Sequence, residues 1–152
     1  MRDCAKNALG IRREHIIMAA IKELLRTEAD NTLSFGDYTL DAKAKVEDYE
    51  FLGNLYKVKT FKEITKLERD GAFVYESVPG TAVTGFKTSD NGVEFNVSGD
   101  ADAEITIELS ENTEYEVSVA GKTNKMTTGI SGKLSFSVNL DGEGEVLVKI
   151  SK

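Results

Sequence analysis

Residues 103–150 read AEITIELSENTEYEVSVAGKTNKMTTGISGKLSFSVNLDGEGEVLVKI, and their rhythm decides the fold. Four segments alternate apolar and polar residues. Ile105, Ile107 and Leu109 share one parity. So do Tyr115, Val117 and Val119, then Leu134, Phe136 and Val138, then Val146, Val148 and Ile150. The intervening positions carry Glu, Ser, Thr, Asn and Lys. Successive side chains of a strand point to opposite faces, so each segment has one apolar and one wet face. Strands of this kind hide their apolar faces by stacking two sheets. Short strands separated by Gly, Asp and Asn turns therefore predict an immunoglobulin-like β-sandwich over residues 72–152.

Working upstream, AFVYESV (72–78) alternates as a strand and meets Pro79-Gly80, a pair suited to the middle of a type II turn. TAVTGFKTSDNGVEFNVSG (81–99) contains Asn91-Gly92, the strongest hairpin signal in the chain. Residues 18–71 read as an N-terminal β region with one short helix. Asp30-Asn31 and Leu52-Gly53-Asn54 mark two hairpins. In TFKEITKLERDG (60–71) the period changes. Thr60 and Glu63 have the spacing of a capping box, and Phe61, Ile64 and Leu67 recur every third residue. Asp70-Gly71 supplies a stop, which predicts a helix near residues 61–69. The last segment, GEVLVKISK (144–152), reads as a sheet edge guarded by Lys149 and Lys152.

The bulk chemistry narrows the function. The chain has 152 residues, 40% hydrophobic and 30% charged, with a single Pro, which suits a globular domain. A net charge of −7 opposes nucleic acid and anionic membranes, both of which need excess Lys and Arg. No apolar run approaches a membrane span, and no secretory signal is evident, so a cytoplasmic location is expected, with a virion as the other setting. One cysteine, Cys4, makes no internal disulfide framework.

Residues 1–17 are +2, against −9 for the remainder. Arg12-Arg13-Glu14 ahead of Met18 is also what a purine-rich ribosome-binding site spells when read in frame. Met18 is therefore expected to be the native initiator, with 1–17 a translated leader or disordered N-terminus. The competing reading is an amphipathic helix through Leu9, Ile16, Ala20 and Leu24. From Met18 onward there is no Cys, His or Trp, and only two arginines, Arg26 and Arg69.

That inventory empties most catalytic schemes. Ser–His or Cys–His catalysis needs an imidazole, and His15 is the only one. Four Cys or His zinc ligands do not exist here. Paired carboxylates suit glycoside hydrolysis at separations of about 5–10 Å, yet any two acids could meet that condition. Glu104, Glu108, Glu114 and Glu116 sit at outward parity and read as solvated. GDADAE (99–104) and DGEGE (141–145) are acidic turns without the spaced ladder of a calcium loop. Gly121-Lys122-Thr123 resembles the end of a P-loop but lacks the upstream Gly and the following helix, so it reads as a turn between strands. Tyr38, Tyr49, Tyr56 and Tyr75 are either sugar platforms or tyrosines at the edge of the core. No catalytic, cofactor-binding or metal-binding residue is assigned.

LYKVKTFKEITKLERDGAFVYESVPGTAVTGFK (55–87), with AEITIEL, TEYEVSV and GKLSFSVNL downstream, resembles a group of small proteins of gut Firmicutes that go under the name endosialidase or endosialidase-like. The resemblance spans most of residues 18–152. It also resembles them at the start, since they begin near MAxIKELxRTEADGTLSFGDY. The name implies polysialic acid hydrolysis and a link to phage tails. Sialidases clamp a sugar carboxylate with an arginine cluster, and they carry a Ser-x-Asp-x-Gly box before Thr-Trp. This chain has neither past Met18, so no residue role carries over. The expectation is a non-catalytic binding or structural module for a protein or a glycan. It could self-associate through sheet edges. The competing readings are a phage tail-type accessory protein and a carboxylate-dependent glycosidase.

Overall fold

The structure is a computed structural model and describes residues 20–152. The leader question, Cys4 and His15 lie outside the described residues. The fold is all β, two antiparallel sheets packed as a sandwich. The strands are β1 (Leu25–Thr27), β2 (Leu33–Phe35), β3 (Ala44–Phe51), β4 (Asn54–Phe61), β5 (Ile64–Arg69), β6 (Ala72–Val78) and β7 (Ala82–Ser89). They continue as β8 (Gly92–Ser98), β9 (Ala103–Glu108), β10 (Glu114–Val119), β11 (Lys122–Thr127), β12 (Lys133–Val138) and β13 (Val146–Ser151). One sheet has the order β12-β9-β6-β5-β4-β3, the other β11-β10-β13-β8-β7-β2-β1. Strands from both sides of Gly71 therefore stand in each sheet, and they share one apolar core.

The alternating segments bury the faces their parity predicts. Ile105, Ile107, Tyr115, Val117, Leu134, Phe136, Val138, Val146, Val148 and Ile150 are all buried. At the centre, Phe35, Tyr75, Phe86 and Phe95 meet mostly edge to face, with centroids 5.2–6.4 Å apart. Both N-terminal hairpins form, β1–β2 around Asp30-Asn31 and β3–β4 around Leu52-Gly53.

The short helix near 61–69 does not form. The stretch is the end of β4, a turn at Lys62-Glu63, and β5, with Phe61 paired to Ile64. The three-residue spacing of Phe61, Ile64 and Leu67 is an accident of that turn. The buried residues here are Thr60, Thr65 and Leu67, while Phe61 and Ile64 are only half-buried. Thr60 caps no helix; its hydroxyl accepts from the Asp37 amide at 2.9 Å. Asp70-Gly71 stops no helix either. Both residues have positive φ, 51° and 82°, the type I′ geometry that joins β5 to β6. Sheet neighbours on both sides of β5 override its helical spacing.

Three smaller readings are corrected too. Gly80 has no positive φ, so Pro79-Gly80 is not a type II turn. Gly80 instead packs against the β4–β5 turn, where a Cβ would stand 2.0 Å from the Phe61 carbonyl oxygen. The β7–β8 hairpin forms, but its turn residues are Asp90-Asn91, one position before the expected pair. The segment 144–152 is not an edge: β13 lies between β10 and β8. The edges are β1 and β11 in one sheet and β3 and β12 in the other. Strand β11 is almost wholly exposed and polar, so no alternation announces it in the sequence.

Away from the apolar centre, a chain of buried hydroxyls crosses between the sheets. Thr81 Oγ1 lies 2.7 Å from both the Tyr75 hydroxyl and Ser77 Oγ. Thr65 Oγ1 donates to the Thr81 carbonyl at 2.8 Å and lies 2.8 Å from Thr60 Oγ1. All five side chains are fully buried. Burial pushes the Tyr75 pKa far up, against the opposing bonds to Thr81 and Ser77, so the phenol stays protonated. Thr81→Val keeps the shape but strips a partner from two buried hydroxyls. The expected loss is about 2–3 kcal/mol, read as a lower urea midpoint at unchanged slope. A shift below about 0.5 kcal/mol would show that these hydroxyls find other partners.

Candidate functional site

Antiparallel connection sends alternate turns to opposite ends of the sandwich. One end collects the turns at 28–32, 52–53, 70–71, 90–91, 109–113 and 128–132. Between the sheets at this end opens a cleft of about 510 Å³. Val74, Phe86, Val93, Ile107 and Tyr115 close its base but are almost wholly buried, so its open surface is mainly polar. Its polar groups include Arg69, Asp90, Glu108 and Ser110. A smaller recess of about 100 Å³ shares Arg69, Phe86 and Thr88 with it and reaches Leu52, Phe51 and Tyr56. Arg69 stands where the two meet.

Arg69 has the parity of Thr65 and Leu67, the inward-facing residues of β5. Its cross-strand neighbour Tyr56 is buried. A half-buried guanidinium thus sits at the mouth of the core, on a strand interior to its sheet. Among the described residues it makes no ion pair. Arg26 is the contrast. Its Nε and Nη2 donate to Glu28 Oε2 at 3.0 and 2.8 Å, and Nη1 lies 3.6 Å from Glu23. Glu28 titrates below the ordinary carboxylate range, because the Ser34 hydroxyl donates to it and Arg26 adds its charge, against a burial that opposes both.

The walls of the cleft are tied down. The Ser110 amide donates to the Tyr115 hydroxyl at 3.1 Å, and Thr128 Oγ1 donates to the Ser110 carbonyl at 2.6 Å. The Thr113 amide donates to Thr128 Oγ1 at 3.0 Å. Asp70 accepts from the Leu55 amide at 2.9 Å. Around this framework the tips are apolar and bare: Ile130 is 84% exposed and Leu52 69%.

The residues weighed from sequence fall elsewhere, with one exception. Glu104, Glu114 and Glu116 are exposed, the first on the six-stranded sheet and the other two on the seven-stranded one. Glu108 is also exposed, yet it reaches the lip of the cleft, as does Asp90. Tyr38, Tyr56 and Tyr75 are buried, so none can offer a sugar platform. Tyr49 is half-buried with its hydroxyl 2.9 Å from Thr27 Oγ1. In GDADAE, Asp102 accepts from the Leu140 and Asp141 amides at 2.9 and 3.3 Å, a loop clasp. Gly121 completes the β10–β11 turn with Ala120, φ 84° and 52°. Among the described residues no three Asp, Glu, His or Cys side chains gather for a metal, and no helix is long and apolar enough to cross a membrane.

Arg69 is the residue that sequence reasoning passed over. The signal was present, since Arg69 shares parity with Leu67 and precedes an Asp-Gly hairpin pair. Reading 61–69 as a helix concealed it, because helical spacing puts those residues on different faces.

Fold and cleft together define an all-β sandwich with a cleft at one end. No protein-family model matches this chain. No curated protein and no solved structure matches it either.

Proposed function

We propose that this protein is a non-catalytic binding module that works through its loop-bearing end. The observation that carries the reading is the cleft with Arg69 at its mouth. A concave site on which a few polar groups converge is a usual setting for a ligand. The exposed tips Leu52 and Ile130 favour a protein partner over a glycan, since three of the four weighed tyrosines are buried and cannot stack on sugar. The finer fold reading is immunoglobulin-like for residues 72–152. Its support is the pairing β9–β12 in one sheet and β10–β13 in the other, with β11 beside β10. This is the neighbour pattern of strands B–E, C–F and C–C′.

The glycosidase reading keeps one supporting observation, that Asp90 and Glu108 both line the cleft. Both are exposed to solvent. The two carboxylates of that class flank an enclosed sugar subsite, and neither of these is enclosed. The test has two arms. Polysialic acid incubated with the purified protein should keep its chain length. In a fragment screen by amide NMR, perturbed resonances should gather at residues 69–74, 86–93 and 107–115. Cleavage above blank buffer, or hits that avoid the cleft, would overturn the proposal.

A further inference from the structure

We infer that the free edge of β12 accepts an extended segment of another protein as an added strand, acidic near its start and apolar further on. This surface lies on the side of the sandwich, and the inference does not depend on the cleft.

Four strands end the two sheets, and three of them are guarded. Strand β3 is bulged between Val46 and Tyr49, with Asp48 at φ 57°, and exposes Lys45, Glu47 and Glu50. Strand β1 has three residues, and Thr27 Oγ1 ties it to the Tyr49 hydroxyl of β3 at 2.9 Å. Strand β11 exposes Lys122 and Lys125. Bulges, short strands and lysines are the usual obstacles to edge pairing. Strand β12 keeps none of them at its edge. It pairs with β9 from Lys133 to Val138 without a register shift. Its one lysine, Lys133, reaches back across the sheet, with Nζ 4.5 Å from the ring centroid of Phe73 on β6. Ser135 also turns inward, to Thr106 of β9 at 2.8 Å. Alternate residues of such a strand hold N–H and C=O groups that no strand pairs.

The other sheet leaves room beside this edge. On β11, Lys122, Asn124 and Met126 stand opposite Val119, Val117 and Tyr115, the core-side residues of β10. Yet Lys122 and Asn124 are exposed, and Met126 is only partly buried. Strand β11 therefore projects past the six-stranded sheet, with no described strand beneath its core side. Residues 128–132 lead directly from β11 to β12, so the open place under β11 is the place beside β12. In a constant-type immunoglobulin sandwich strand D stands there, next to strand E.

The backbone and β11 together set the occupant. Unpaired amides and carbonyls in strand register are met by another backbone, the strand-addition mode of recognition. A second copy offering its own β12 fits poorly. Leu134, Phe136 and Val138 are covered by that copy's other sheet, which would collide with the projecting β11. The link 128–132 puts Met126 and Leu134 at the cleft end, and Lys122 and Val138 at the far end. A segment antiparallel to β12 thus starts near Lys122 and finishes near Met126. Lys122 makes no ion pair among the described residues, so it favours a carboxylate early in the segment. Met126 favours an apolar residue later. Asp141 and Glu143, exposed in the turn after β12, oppose that carboxylate through solvent, an effect that salt screens.

The experiment titrates the labelled protein with a short peptide that alternates threonine with, in order, glutamate, valine and valine. Amide resonances of residues 122–126 and 133–138 should shift, and alternate amides of β12 should gain protection from hydrogen exchange. The peptide with the reverse order should bind about twofold to fivefold more weakly. Lys122→Glu should remove that preference, with a dispersed spectrum showing that the variant folds. Two further peptides carry N-methyl groups on one or the other set of alternate amides. Only one set faces β12, so one pattern should lose about tenfold or more and the other should bind like the parent.

Equal binding by both N-methyl patterns would overturn strand addition. Equal binding of the two residue orders would overturn the acidic start. Shifts at 133–138 on concentrating the protein alone would assign the edge to a second copy and overturn the separate partner. If no peptide perturbs these amides, the inference fails. None of these outcomes touches the cleft, which the fragment screen tests by itself.

Discussion

Phe35→Ala should lower the unfolding free energy by about 3–5 kcal/mol, a large share of the roughly 5–15 kcal/mol that holds a domain of this size. Phe35 is fully buried. Its ring stands edge-on to Tyr75 at 5.2 Å and to Phe86 at 5.6 Å. Those two residues come from different sheets, Tyr75 from β6 and Phe86 from β7. The alanine variant therefore empties the place where the layers meet. It also loosens β2, a strand of three residues that is held to β7 by only two aligned positions. Equilibrium urea unfolding gives the measurement, with Phe35→Leu as the milder companion at about 1 kcal/mol. A loss below about 1 kcal/mol for alanine would mean that the aromatic cluster closes over the void, contrary to the packing described here.

Gly92→Val should be comparably damaging for a different reason. Gly92 opens β8 with φ near 154° and sits opposite Ser151 of β13. A Cβ built there would stand 1.8 Å from the Ile150 carbonyl oxygen. No side-chain rotation relieves a clash with backbone, so β8 and β13 must separate or the chain must retwist. These are neighbouring strands inside the seven-stranded sheet, and β13 also carries β10. A loss of roughly 3 kcal/mol or more is expected. Hydrogen exchange should localise it, with protection falling first at Val93 and Ile150. Unchanged protection at those amides would show that the strands tolerate a side chain between them.

The second case shows how a correct sequence signal can have an unexpected cause. Asn91-Gly92 does mark a hairpin, and the hairpin exists. The glycine is required by the approach of β13, which arrives from more than fifty positions later in the chain. Asp70-Gly71 errs in the opposite direction. Taken as a helix stop, it is a hairpin turn, and the choice depended on whether residues 61–69 had strands on both flanks. Short apolar spacings fit either period, and only neighbouring strands decide between them.

The candidate site was the least legible part. Arg69 was counted and set aside as too few guanidiniums for a sialidase. Its parity with Leu67 points it toward the core only once residues 64–69 are read as a strand, and the helical reading hid that. Its local sequence does not show that Asp90 and Glu108, 21 and 39 positions away, share its cleft. The tyrosines were legible only as a choice, which burial then resolved for Tyr38, Tyr56 and Tyr75.

By itself the sequence determined the period-two faces of β9, β10, β12 and β13, the existence of two stacked sheets, and the positions of most turns. Those properties are local, because side-chain alternation and turn chemistry act over a few residues. Tertiary structure alone decided which strands are neighbours, that β13 is interior while the polar β11 is an edge, and that Arg69, Asp90 and Ser110 line one cleft. These depend on pairing energies between distant segments, which no window of neighbouring residues contains.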